Sequence, residues 1–151
     1  MFRTLLLTAL LSMASLHAQR KAINPPEFAG APNAPAPMFS PGILIDGTLY
    51  VAGQIGADLK TNAIPDNFED EVRLCLKRIE IILTNADMRL GDVVAVQVYL
   101  TDMDLFARMN AVYGKVFTTD LGNPRPARTT VGVTKLAAPK AHIEITVTAR
   151  K

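Results

Sequence analysis

Residues 93–100, Val-Val-Ala-Val-Gln-Val-Tyr-Leu, constrain the fold more than any other stretch of this chain. β-branched residues crowd the run, and it is long enough for a central strand. Both of its alternations are apolar, so neither face can be left to water, unlike a strand from a one-sided antiparallel sheet. A layer of helices can cover one face. Self-association is the economical cover for the other.

The remaining elements follow from their periods. Ile43-Leu44-Ile45 and Thr48-Leu49-Tyr50-Val51-Ala52 flank Asp46-Gly47, a two-residue hairpin signal. Residues 67–86 space Val72, Cys75, Leu76, Ile79, Ile82 and Leu83 by three and four, which predicts a helix with Glu71, Arg73, Lys77 and Glu80 facing water. A second helix is expected over 104–117, capped by Asp102 or Asp104, with Leu105, Met109, Val112, Tyr113 and Val116 inward. Residues 128–134 and 142–148 read as the last two strands, paired with each other around the loop Ala137-Ala138-Pro139-Lys140. Each helix carries a single apolar stripe, so the order predicts an α+β domain with both helices on one face of one sheet.

The first 18 residues read as a secretory leader, with Arg3 supplying the positive start, an apolar segment from Leu5 to Leu16, and Ala18 before a cut that leaves Gln19 first. Leu16 is larger than such a cut prefers, which keeps an uncleaved anchor as the alternative. Export implies a periplasmic or secreted protein. Residues 19–41, rich in Pro and Ala over 24–41, read as an extended arm before a domain over 42–151.

Composition removes several chemistries. With Arg3 gone, 15 basic residues stand against 14 acidic ones, with signs interspersed, so no nucleic-acid track is expected. Cys75 is the one cysteine, and His17 and His142 are the two histidines, so an intrachain disulfide and a thiolate or histidine metal cluster are excluded. Cys75 itself lies on the apolar face of the first helix and reads as a buried thiol.

Two residues carry the candidate chemistry. Arg128, in Pro126-Ala127-Arg128-Thr129-Thr130, sits at the mouth of a strand, where a guanidinium is held still enough to grip a carboxylate with two parallel hydrogen bonds. Taken alone, the residue is more simply read as one half of a rim salt bridge. Glu144, between Ile143 and Ile145, would project to the same end of the sheet from an antiparallel neighbour, either to orient a water or to form a cross-strand pair. Gly53-Gln54 ends the hairpin's second strand, and glycine there allows close approach of a ligand. Asn110 and Tyr113 lie one turn apart on the second helix, as pocket lining or as core edge.

Six segments in order, Ala52-Gly53-Gln54-Ile55, Gly91-Asp92-Val93-Val94, Val98-Tyr99-Leu100-Thr101-Asp102, Asn110-Ala111-Val112-Tyr113, Pro126-Ala127-Arg128 and Ile143-Glu144-Ile145, closely resemble the RidA/YjgF family of enamine/imine deaminases. The resemblance runs from about Asn24 to the end. It implies a chorismate-mutase-like two-layer fold with a mixed, mostly antiparallel sheet, packed as a homotrimer with sheets inward and a ligand cleft at each subunit interface. It further implies that Arg128 holds the substrate carboxylate, that Glu144 positions the hydrolytic water, and that Gly53, Asn110, Phe39 and Thr130 line the site. The implied reaction is hydrolysis of short-lived 2-enamine and 2-imine acids to 2-keto acids and ammonia. No cofactor is implied, because the imine carbon is already electrophilic.

Three positions depart from the family pattern: Phe39 replaces a tyrosine, Ala52 a serine, and Thr130 a frequent cysteine. The interval from Arg128 to Glu144 is also one residue longer. These changes motivate a second reading, a non-catalytic trimer that binds small carboxylates or acts as a chaperone. A third, the ribonuclease activity attributed to some relatives, has the low net charge against it.

Overall fold

The Asp46-Gly47 turn organises one edge of the sheet in the computed structural model, which describes residues 19–28, 38–118 and 124–151. Asp46 and Gly47 both take positive φ, 48° and 72°, as the tightest hairpin turn requires. They join β2 (Gly42–Ile45) to β3 (Thr48–Ile55). β1 (Lys21–Ile23) pairs with β2 from outside, so part of the expected extended arm is a strand. The leader, residues 1–18, lies outside the described residues.

Beyond β3 the order is set by long-range pairing. β4 (Val93–Leu100), β5 (Ala127–Gly132) and β6 (Ile143–Arg150) complete a six-stranded sheet in the order β1-β2-β3-β6-β4-β5. β4 and β5 run parallel, joined through the second helix, and every other pairing is antiparallel. The expectation that the last two strands pair with each other is therefore corrected: β4 lies between them. Burial explains the insertion. Ile143, Ile145, Val147 and Ala149 are each 1% exposed or less, which only a central strand covered by helices achieves.

Both helices pack on the face those residues share. In α1 (Phe68–Asn85), the Asn67 side chain accepts a hydrogen bond from the Asp70 amide at 3.0 Å, and Glu69, Asp70 and Glu71 place negative charge in the first turn. α2 (Phe106–Val116) follows a short 3-10 turn whose start is capped by Asp102 accepting from the Asp104 amide at 2.9 Å. Ile79, Ile82, Leu83 and Met109 are fully buried against Leu49, Val98 and Ile145. Each such side chain contributes roughly 1.5–3 kcal/mol by leaving water. Cys75 is buried as expected, its thiol donates to the Gln54 carbonyl at 2.9 Å, and burial pushes its pKa well up.

Glu71 departs from expectation. It does not face water but is fully buried, accepting from the His142 amide at 2.7 Å and the Ile143 amide at 3.3 Å, with His142 Nδ1 at 2.9 Å from its other oxygen. A buried carboxylate persists only when so satisfied. It ties the first turns of α1 to the start of β6 and thereby fixes where Glu144 begins.

The opposite face of the sheet is only partly covered. Tyr50 and Val131 are 53% and 40% exposed, while Tyr99, Glu144 and Thr146 are half-buried.

Candidate functional site

The site begins with an irregularity in β3. Val51 faces Val147 and Gln54 faces Ile145, so β3 carries one more residue than β6 across Ala52-Gly53. Such a bulge bends the strand and re-aims what it carries. Thr146 closes it by donating its hydroxyl to the Val51 carbonyl. Glu144 then lies directly over Gly53: a Cβ added there would be 1.8 Å from Glu144 Oε1. Glycine leaves the carboxylate this place, because a side chain here would have to displace it.

That carboxylate opens into a cleft of about 1160 Å³, whose walls include Phe28, Phe39, Gly53, Gln54, Arg78 and Glu144. Glu144 makes no hydrogen bond or ion pair among the described residues, and Phe39 is 64% exposed at the rim. Behind Gly53, the buried Gln54 donates Nε2 to the Ala52 and Gly53 carbonyls at 3.0 and 3.2 Å. Arg78 holds Gln54 in turn, its Nε donating to Gln54 Oε1 at 3.2 Å and Nη1 to the Ala57 carbonyl at 3.4 Å. Its guanidinium lies 4.5 Å from the Phe28 ring, and burial pulls its pKa down.

Arg128 occupies a different neighbourhood. It pairs with Val96 on the helix-covered face of β5, and its guanidinium sits 4.6 Å from the Tyr113 ring and 5.7 Å from that of Phe106. Among the described residues it has no carboxylate partner, so the rim salt bridge is not formed there. Asn110 is half-buried one turn before Tyr113, and Thr130 follows Arg128 on the same strand face. The hydroxyls of Tyr113 and Thr130 are both buried without a hydrogen-bond partner. Burial raises the Tyr113 pKa, with Arg128 and Arg125 acting against it.

The expected residues thus form two groups. Phe39, Gly53 and Glu144 share the cleft, whereas Arg128 and Thr130 belong to the β5–α2 patch together with Asn110. Within one chain Arg128 and Glu144 do not meet. β4 separates their strands, Val96 faces Arg128 and Tyr99 faces Glu144, and residues three apart on a strand point to opposite faces. The reading from sequence also missed Arg78 and Gln54 as part of the site. A signal was available: Glu71, Cys75, Arg78 and Ile82 recur at four, three and four, placing two charges on the line that carries the core.

Residues 29–151 match the family model described as Endoribonuclease L-PSP. The chain belongs to that family, also known as YjgF/RidA. A RutC family protein of Saccharolobus solfataricus is 41% identical over 121 residues, covering 78% of this chain and 92% of that protein. A 2-iminobutanoate/2-iminopropanoate deaminase of Salmonella typhimurium is 33% identical over 106 residues, covering 69% and 82%. Among solved structures, Escherichia coli TdcF with bound serine superposes with a TM-score of 0.75 at 29% identity, covering 87% of this chain and 99% of that one. The bulged β3, the Gly53–Glu144 contact and the Arg128 patch are how this YjgF/RidA chain arranges the residues of the family's motifs.

Proposed function

We propose that the protein hydrolyses 2-imine and 2-enamine acids to 2-keto acids and ammonia, without a cofactor, in clefts completed between copies of the chain in a homotrimer. The observation that carries this reading is Glu144, an uncompensated carboxylate laid over a bare Gly53 inside a cleft. The patch on β5 is its complement, with a guanidinium lacking an anion and two buried hydroxyls lacking partners. A neighbouring copy that presents Arg128, Asn110 and Thr130 to the cleft supplies the carboxylate clamp and satisfies both halves. The partly exposed sheet face, with Tyr50 and Val131, is the surface such packing would cover.

The chemistry asks little of the protein. Arg128 fixes the substrate carboxylate, and Glu144 orients a water against the electrophilic imine carbon and accepts its proton as the C–O bond forms. Returning that proton to the nitrogen gives the carbinolamine, and transfer of its hydroxyl proton to the nitrogen through Glu144 lets the C–N bond break as the C=O bond forms, so imine and water leave as keto acid and ammonia. The deaminase activity named for the Salmonella relative supports this substrate class. Added to freshly generated 2-iminobutanoate, the protein is expected to accelerate keto-acid release. Glu144→Gln should lower kcat by about 10²–10⁴-fold while keto-acid binding persists. Wild-type protein that gives no rate gain sinks the proposal.

The second reading, a binding or chaperone-like trimer, is favoured by Phe39, which keeps a ring at the cleft rim without a hydroxyl donor. Saturable binding of 2-keto acids without turnover would select it. On the strength of residues 1–18 the protein is also proposed to be exported. N-terminal sequencing of the periplasmic or secreted fraction should begin at Gln19. Protein found only in the cytoplasm with Met1 retained refutes export.

A further inference from the structure

Arg78 is the cation of the cleft itself. It is partly buried, it lies on α1 rather than on a flexible rim, and its neighbours are an aromatic ring and two neutral acceptors, Gln54 Oε1 and the Ala57 carbonyl. No carboxylate among the described residues pairs with it. Nor can residues 29–37, between Phe28 and Met38 of the cleft wall, provide one, since they contain no Asp or Glu. A ring face and neutral oxygens offset only part of the cost of withdrawing a guanidinium from water. The N–H donors not committed to Gln54 and Ala57 remain available in a fork suited to a carboxylate.

The walls of the cleft carry both Glu144 and Arg78, so one ligand can present its reacting end to the first and a second polar group to the other. We infer that Arg78 determines specificity in this cleft, selecting imine or enamine acids that carry a second anionic group, the imines of 2-keto dicarboxylic acids. The inference rests on the deaminase reading for its reaction but not for its recognition step. Arg128 from the neighbouring copy takes the carboxylate beside the imine carbon. Arg78 takes the distal one, and Gln54 sets the orientation of its fork.

The test compares 2-iminosuccinate with 2-iminobutanoate, each generated in situ by an amino-acid oxidase. Wild type should favour the dicarboxylate at least tenfold in kcat/KM, and Arg78→Gln should reduce that ratio at least tenfold. A wild type without preference, or a ratio in Arg78→Gln within twofold of wild type, overturns the inference. Calorimetry with succinate and butanoate separates recognition from turnover. If neither imine is hydrolysed, the deaminase reading fails while a tenfold preference for succinate that Arg78→Gln abolishes still upholds the role of Arg78. Equal affinities overturn it. Should Arg78→Gln not fold, the wild-type affinities for the two acids decide the matter in the same way.

Discussion

Arg78 and Arg128 are both partly buried guanidiniums seated on aromatic rings, 4.5 Å from Phe28 and 4.6 Å from Tyr113, and neither has a carboxylate partner among the described residues. They differ in what else holds them. Arg78 spends part of its fork on Gln54 and the Ala57 carbonyl, whereas the Arg128 guanidinium makes no hydrogen bond among the described residues and rests on its rings. A tethered fork is a fixed feature of the cleft wall. One that only stacks keeps its geometry while leaving every N–H for a ligand. The molecule thus holds one cation that shares a cleft with Glu144 and another, with a freer fork, against α2, where only a second copy could bring it to that cleft.

The sharpest way to break this comparison is to remove the freer fork. Arg128→Ala should lower kcat/KM on 2-iminobutanoate by on the order of 10²–10³-fold, the cost of deleting one partner of a desolvated charge pair. Steady-state assays that find less than a fivefold loss would show that Arg128 is no clamp. A smaller effect tests its seat. Tyr113→Leu removes the ring beneath the guanidinium and should raise KM about 3–30-fold, the equivalent of a cation–π contact of roughly 0.5–2 kcal/mol. Tyr113→Phe, which keeps the ring, should stay within a few fold. Equal losses in the two variants would assign the role to the hydroxyl instead.

The smallest effect belongs to an arginine that does have its carboxylate. Arg108 donates Nε and Nη2 to the two oxygens of Glu69 at 2.7 Å each, bridging α2 to α1. The bond holds the Glu69 pKa at about 2. Because the folded pKa is depressed, the pair's contribution is present above the ordinary carboxylate range and is lost as pH falls toward 2. Thermal melts of wild type and Glu69→Gln should differ slightly at pH 7, less at high salt, and converge as the pH falls from about 4.5 toward 2. A gap that widens on acidification contradicts this sign.

Local features were legible in the sequence wherever a short period or a turn residue decides the outcome. The Asp46-Gly47 hairpin, the limits of α1 one residue inside the expected 67–86, and the 93–100 strand were readable because positive φ, helical spacing and β-branched density act over a few neighbours. The candidate residues were legible through the motifs that carry them, and Phe39, Gly53 and Glu144 do share a cleft.

Tertiary structure alone decided the rest. Sequence order made the last two strands look adjacent. The parallel return of β5 beside β4 instead left the central slot to β6 and put Arg128 and Glu144 on opposite faces. Glu71 reads as a solvated helix charge and Arg78 has no assigned role until β6 and the arm pack against them, giving one three acceptor contacts and the other a cleft to face. Periodicity records how each residue is turned relative to its own element, and that much is local. Which element lies opposite depends on pairing between distant segments, so strand order, buried charge and the division of the site into two halves emerge only when the chain is folded.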